Sequence, residues 1–455
     1  MPAADAPCPE QAFNATALKW HTCAWLLLPV LVFLAGWMHW YAALPLTLLT
    51  AAGLAPRKRK EPQTRDSLPA FPLFTRSSFL ALAAFAALMA LSGWGEWVNQ
   101  HPDHIVRNAC LRELVASPWP VIFPDGNVLI YNTGFWLVPA LAGKLAGLDA
   151  ARMLVVLWGA WGLFLSWLWL CVFSGRRSLL LALLMAAFGS LLNLQCWLGL
   201  NLFRLHYFGT AEQIMCSANA SIPVLLFFIF LASGRMPLYW MPILFAATAF
   251  YSPLAALGGL PLAACQWRRQ WKGVLPLRDV LLHPSFSAAV LLGTCFLLYY
   301  GAVNAPSSHM GMRPFYTRPG DFLLMATSFL LYALFCWRDF QRNPLFICTL
   351  ATGLILPFFY VNGDVNDLLC KGSVPVMACL LAFLASSWTR RPGFRVWIWL
   401  AGVRNGAPVQ HSLLLLFFQR LPGVSGASGF GNRAFFLRQP GVEAALLCAP
   451  GAPSG

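Results

Sequence analysis

Apolar runs close to membrane-span length recur in this chain from about residue 20 to residue 390, and the short loops between them carry most of the charge. A helix needs about 20 apolar residues to cross a bilayer, and inside lipid every backbone polar group must be bonded within the protein. Charged residues are only 10% of the 455, against about 25% in soluble domains. That scarcity excludes a soluble enzyme, a disulfide scaffold and a disordered chain. The expected fold is all-α, a polytopic transmembrane helical bundle of about 11–13 spans with a large first outer loop containing interfacial helices. Residues 1–19 read as an N-terminal tail, 20–390 as the bundle with its outer loop at 95–151, and 391–455 as a Gly-, Pro-, Ala- and Ser-rich C-terminal tail. The N-terminus has no basic region ahead of an apolar core and no small-residue cleavage site, so a cleaved signal peptide is not expected.

Orientation follows from the loops. PRKRKEPQTRD (56–66), SGRRS (174–178), SGRM (233–236), QWRRQWK (266–272) with Arg278, WRDFQR (337–342) and TRRPGFR (389–395) are all net basic. If 95–151 is one outer loop they all fall on the same side, which then holds 18 Lys and Arg against 8 opposite. Basic loops stay in the cytoplasm, which for a bacterial chain means the inner membrane. The net charge of +15 is thereby explained by orientation and by contact with membrane lipids, and no nucleic-acid partner is expected. The 13 cysteines are scattered, without a CxxC pair or a Cys/His cluster, and read as small core residues.

Two segments interrupt the rhythm. NVLIYNTGFWLVPALAGKLAGL (127–148) is apolar enough to span, but a full span there would invert every later loop. It is expected to lie in or dip into the outer interface, with Tyr131, Phe135, Trp136 and Lys144 at headgroup depth. Pro253 and the Gly258–Gly259 pair predict broken helices and a cavity near Tyr251 to Pro253.

With the sides assigned, the acid, base and phosphate-binding groups gather outside, most densely in GEWVNQHPDHIVRNACLREL (95–114). In a protein this poor in charge, that concentration is a functional pointer. Pro102 fixes an extended entry and the residues after it can start a helix, on which Asp103 and Arg107 share one face and His104 and Asn108 another. Asp103 is then either a helix-capping residue with an internal salt bridge or a catalytic base or metal ligand beside His104. Arg313, Arg318 and Lys371 are either phosphate ligands or interfacial cations. Asp364 and Asp367 are either functional or part of an Asx-type turn. His206 reads as interfacial, and Glu212 needs a partner at its span start. Trp94, Trp97 and Trp119 belong to an interfacial belt or stack on sugar rings.

The runs PDHIVRNACLRELVASPWPVIF (102–123), LIYNTGFWLVPALAGKL (129–145) and NDLLCKGSVPVM (366–377) carry a resemblance. Over residues 78 to about 390 the chain resembles bacterial membrane proteins of the C structural class of glycosyltransferases, in which an Asp-x-x-x-(Arg/Lys)-Asn-Ala-x-x-(Arg/Lys)-(Asp/Glu)-Leu stretch precedes Trp-Pro-Val. It departs where Cys370 and Lys371 stand in place of a basic residue directly after an Asn-Asp pair. The resemblance implies transfer of a sugar from a polyprenyl-phosphate-linked donor to a glycan or lipid acceptor on the outer face. Such a transfer needs a carboxylate as general base and cations, from side chains or a divalent metal, at the departing phosphate. Asp103 is the candidate base, with His104 or Glu96 as helper or metal ligand. Arg107, Asn108, Glu212, Arg313 and Lys371 are the candidate substrate-binding residues. The competing expectations are a transporter or flippase of a lipid or glycan intermediate, and a non-catalytic partner in envelope assembly. No repeat of the hydropathy pattern favours the transporter.

Overall fold

A computed structural model describes residues 15–55, 75–98, 100–189, 207–271, 277–302, 310–312, 319–361 and 366–390. The basic run at 56–66, His206, Arg313, Arg318, Asp364 and the tail from 391 lie outside the described residues. The chain is an all-α helical bundle: α1 (Ala15–Trp37), α2 (Trp40–Leu54), α3 (Arg76–Leu91), α4 (Pro102–Ala116), α5 (Gly134–Ala146), α6 (Leu148–Ser174), α7 (Leu179–Ala187), α8 (Thr210–Ala232), α9 (Trp240–Tyr251), α10 (Pro253–Trp271), α11 (Leu277–Leu281), α12 (Pro284–Gly301), α13 (Pro319–Phe340), α14 (Pro344–Ile355), α15 (Asp367–Gly372) and α16 (Val374–Arg390). The strands among the described residues, β1 (Met310–Met312) and β2 (Phe359–Val361), pair antiparallel with Met310 opposite Val361.

Among these helices α1, α6, α8, α12, α13 and the continuous stretch Asp367–Arg390 are long and apolar enough to cross a membrane. Apolar residues surround the axes instead of forming one stripe, as expected where neighbours or lipid meet every side. Burial separates the two cases: over an apolar 18-residue stretch of each, 94% of Asp367–Arg390 and 89% of α8 lie inside the protein, against 22% of α12. Helices α8 and α16 are therefore the central pillars, and α12 turns Leu297 and Leu298 outward.

Loop contacts put the described basic loops at one end. The Trp240 indole donates to the Leu54 carbonyl, Gln270 to Met236, Arg269 to Asn343 and Thr389 to Ser174. The loop from α3 to α4, the hinge between α5 and α6, and the start of α8 belong to the opposite end.

In segment 127–148 Phe135 and Trp136 are buried by protein, and Gly134 lies against Phe250 and Tyr251. Helix α5 starts inside the bundle and runs to Gly147, where φ of 90° permits the reversal into α6. Lys144, at the rim, donates to the Ser117 carbonyl and lies 5.0 Å over the Trp119 ring.

The expected break at Pro253 is present: α9 ends at Tyr251, Ser252 is extended (φ −158°, ψ 98°), and α10 starts at Pro253. Tyr251 itself is fully buried, with its hydroxyl donating to the Leu26 carbonyl at 3.1 Å. Gly258 and Gly259 lie within the continuous α10, and their missing side chains let it approach the Gly372 backbone and the Phe228 ring. A second break falls in α8, where Ser217 has φ −155° and ψ 44°. A small cavity between α8 and α16 is lined by Gln213, Ile214, Ser221 and Met377.

Candidate functional site

Helix α4 begins as its sequence predicts. Pro102 occupies the first turn, and the His101 ring accepts from the Asp103 amide at 3.3 Å. Asp103 is half-exposed and its Oδ2 lies 3.4 Å from Arg107 Nη2, so the i,i+4 ion pair is present. It is not the cap, a role taken by His101. The Arg107 side chain is 9% exposed, and its guanidinium stands 6.0 Å over the Trp94 indole. Asn108 donates to Gln100 at 2.8 Å.

His104 is 1% exposed. Its Nε2 lies 2.7 Å from the Met215 carbonyl, and its ring packs on Trp94 at 5.1 Å. Burial pushes its pKa below the ordinary 6.5; Arg107 and His101 push the same way, while the Met215 hydrogen bond and Asp103 oppose. Trp94, 2% exposed, donates from Nε1 to the Ile214 carbonyl at 2.8 Å. Trp94 is thus unavailable for stacking on a sugar, whereas Trp97 is exposed.

These contacts explain how the outer loop grips α8. The break at Ser217 separates the turn 210–216 from the rest of the helix, and the indole and imidazole N–H groups serve the carbonyls just before it. On the other side the Gln213 amide donates to the Cys370 carbonyl at 2.6 Å, while its oxygen accepts from Ser217 and Ser221. Glu212 has its partner at the helix start, accepting from the Gly209 amide at 3.3 Å. Asn366 caps α15 by accepting from the Leu369 amide, and Lys371 lies 3.8 Å from Asp367.

Several sequence candidates meet here. The Cys216 thiol is within electrostatic range of Glu212, Asp103, Cys370 and Arg107, and the Cys370 thiol within range of Lys371, Asp367 and Glu212. Asp103, His104, Arg107, Glu212 and Lys371 therefore surround the start of α8, contributed by α4, α8 and α15. Glu96 does not join them. Its Oε2 accepts from Arg112 and Arg152, each at 2.6 Å; Arg112 is nine positions after Asp103, half-way round α4 from it. Among the described residues no group of three His, Cys, Asp or Glu side chains is placed to hold a metal ion. His104 Nε2 is occupied by a carbonyl, which leaves Nδ1 as the donor atom that ring could offer a metal.

The sequence reading missed Trp94 as a structural clamp, Gln213 as the bridge to α15, and the break at Ser217. No Pro or Gly marks position 217, so local sequence carries little signal for that break. Comparison with protein-family models, with curated proteins and with solved structures finds no match to this chain.

Proposed function

We propose that the protein is a bacterial inner-membrane glycosyltransferase, moving a sugar from a polyprenyl-phosphate-linked donor to an envelope glycan or lipid acceptor on the outer face. The observation that carries this reading is the gathering of Asp103, His104, Arg107, Glu212 and Lys371 around the start of α8, at the end opposite the basic loops. A proton acceptor for a hydroxyl comes from the Asp103–His104 turn. Cations for a departing phosphate come from Arg107 and Lys371. The apolar helices beside them give a lipid-linked donor a route from the bilayer.

A second reading, transport of a lipid or glycan intermediate, is favoured by the broken α8 and by α5 starting inside the bundle, since substrate pathways use such interrupted helices. The deciding experiment substitutes Asp103→Ala and Glu212→Ala separately and reads the surface glycan profile at matched protein level. Sugar transfer predicts glycans lacking one residue type, with protein abundance unchanged. Transport predicts complete intermediates retained on the inner face. Normal glycans in both variants, and in His104→Gln as well, would remove the catalytic reading.

A further inference from the structure

Two side chains of α4 are enclosed with hydrogen-bonding capacity unused. His104 Nε2 faces a carbonyl, which only accepts, so Nε2 carries the ring proton and Nδ1 holds a lone pair. Nδ1 is buried and has no partner. Arg107, 7% exposed, directs Nη2 to Asp103, while its buried Nε and Nη1 have no partner. Both side chains lie against the same Trp94 indole. Buried polar groups are almost always bonded, so an unpartnered acceptor and two unpartnered donors, carried one turn apart on α4 against one indole, call for a group that both accepts and donates. A hydroxyl does both. A carboxylate or a fully ionised phosphate has no proton to offer Nδ1.

We infer that His104, through Nδ1, takes the proton of the acceptor hydroxyl, and that Arg107 holds the same oxygen. This assignment rests on the sugar-transfer reading and names the catalytic base within it. In the step, the hydroxyl oxygen bonds to the anomeric carbon of the donor as that carbon's bond to the phosphate oxygen breaks. The lipid phosphate leaves with the bonding electron pair, and the hydroxyl proton moves to Nδ1, from which it passes to the phosphate or to water. Burial keeps the ring neutral near pH 7 and hence able to accept. The charged groups facing it are Arg107, His101 and Asp103 on and before α4, with the Met215 carbonyl from α8. Glu212 lies beyond them on the same turn of α8. Asp103 is then the partner of Arg107 and not the base. Their 3.4 Å separation is longer than the roughly 2.7–2.9 Å of a tight charge-assisted bond, so an entering oxygen can take Asp103's place.

The test uses His104→Gln, whose side-chain amide can still donate to the Met215 carbonyl but provides no base. Intact spheroplasts expressing the full chain are stepped through external pH from about 4 to about 8, and the rate of sugar incorporation into surface glycan is measured. The wild-type rate is expected to climb to a plateau as His104 loses its proton. His104→Gln, with unchanged thermal stability, is expected to lose about 10²-fold or more and to lose the acid limb. A wild-type rate that is flat across that range overturns the assignment without needing any variant to fold. Transfer by His104→Gln at the wild-type rate, with the limb retained, overturns it while leaving the sugar-transfer reading intact. If wild-type cells incorporate no more sugar than cells lacking the protein, the transfer reading fails and this assignment falls with it.

Discussion

The imidazole Nε2 of His104 meets the carbonyl oxygen of Met215 at 2.7 Å, across 111 positions of sequence. One turn of α4 is thereby fastened to the one place where α8 is broken. An unserved carbonyl inside a bundle costs about 1–3 kcal/mol, and Ser217 takes the carbonyls before it out of the regular i+4 pattern. Trp94 and His104 supply the replacement donors, so folding the outer loop and seating the first turn of α8 are one event. A group that binds near Asp103 is consequently coupled to the geometry of α8.

Trp94→Phe tests that coupling without touching the titrating groups. The ring volume is largely kept, the donor to Ile214 is lost, and the carbonyl left behind is buried. The expected loss is about 1–3 kcal/mol, read as a lower melting temperature in detergent. A variant as stable as wild type would show that the Ile214 carbonyl finds another donor.

Acid should loosen the same junction. The folded-state pKa of His104 is depressed, first by burial, so the folded protein resists a proton that the unfolded chain accepts near the ordinary 6.5. His104 therefore contributes stability that is complete above about pH 6.5 and is lost as pH falls toward its folded-state value. His101, Asp103 and Arg107 face the ring, the two cationic side chains opposing its protonation and Asp103 favouring it. The melting temperature should drop on acidification below that point, and His104→Gln should flatten this part of the curve. An identical slope in the variant would assign the acid sensitivity to other groups.

The Gly258–Gly372 contact sets how closely α10 can approach α15, the helix carrying Lys371. A Cβ on Gly258 would fall on the Gly372 backbone, which cannot yield as a side chain could. Gly258→Ala is expected to cost about 3 kcal/mol or more. Gly372→Ala, whose Cβ would meet Leu368 at 3.1 Å and the Leu254 carbonyl at 3.3 Å, should cost less. Thermal unfolding of the two variants gives the order directly, and the reverse order would contradict this packing.

The orientation is checked by labelling from outside. Asn127 and Arg176 are both exposed, Asn127 in the loop expected to face outward and Arg176 in a basic loop expected to face inward. In intact cells a membrane-impermeant maleimide should label Asn127→Cys and spare Arg176→Cys, with peptide mapping separating these sites from the native thiols. Labelling of Arg176→Cys without permeabilisation would invert the topology.

The spans and the single end shared by the described basic loops were legible because both depend on patterns that repeat along the chain: apolar run length and Lys/Arg placement. The Pro102 helix start and the Asp103–Arg107 pair were legible for the same local reason. The burial of Trp136 against Trp94 and Tyr131 was not legible, because an apolar aromatic reads alike whether lipid or protein covers it, and only its neighbours decide. The place of Glu96 was not legible, because its partners Arg112 and Arg152 lie 16 and 56 positions away, distances that no helical spacing announces. The bonds from Trp94 and His104 to α8 carry no periodic signature at all.

Glu96 combines two opposed features that substitution can separate. Its φ of 65° lies in the left-handed region, where a residue with a Cβ costs about 1 kcal/mol relative to glycine. Its carboxylate, only 12% exposed, joins Arg112 of α4 to Arg152 of α6. Glu96→Ala removes the clamp and retains the backbone strain; Glu96→Gly removes both. Arg152 is 24% exposed, so loss of its partner is partly relieved by water, and the clamp is expected to be worth about 1–3 kcal/mol. Both variants should be less stable than wild type, with glycine above alanine by about 1 kcal/mol in thermal or denaturant unfolding. If sugar transfer is centred on Asp103, His104 and Arg107, both variants should also keep most of their activity at temperatures below melting. A collapse of activity in folded Glu96→Gly would bring Glu96 back into the reaction and require the site to extend round α4 to Arg112.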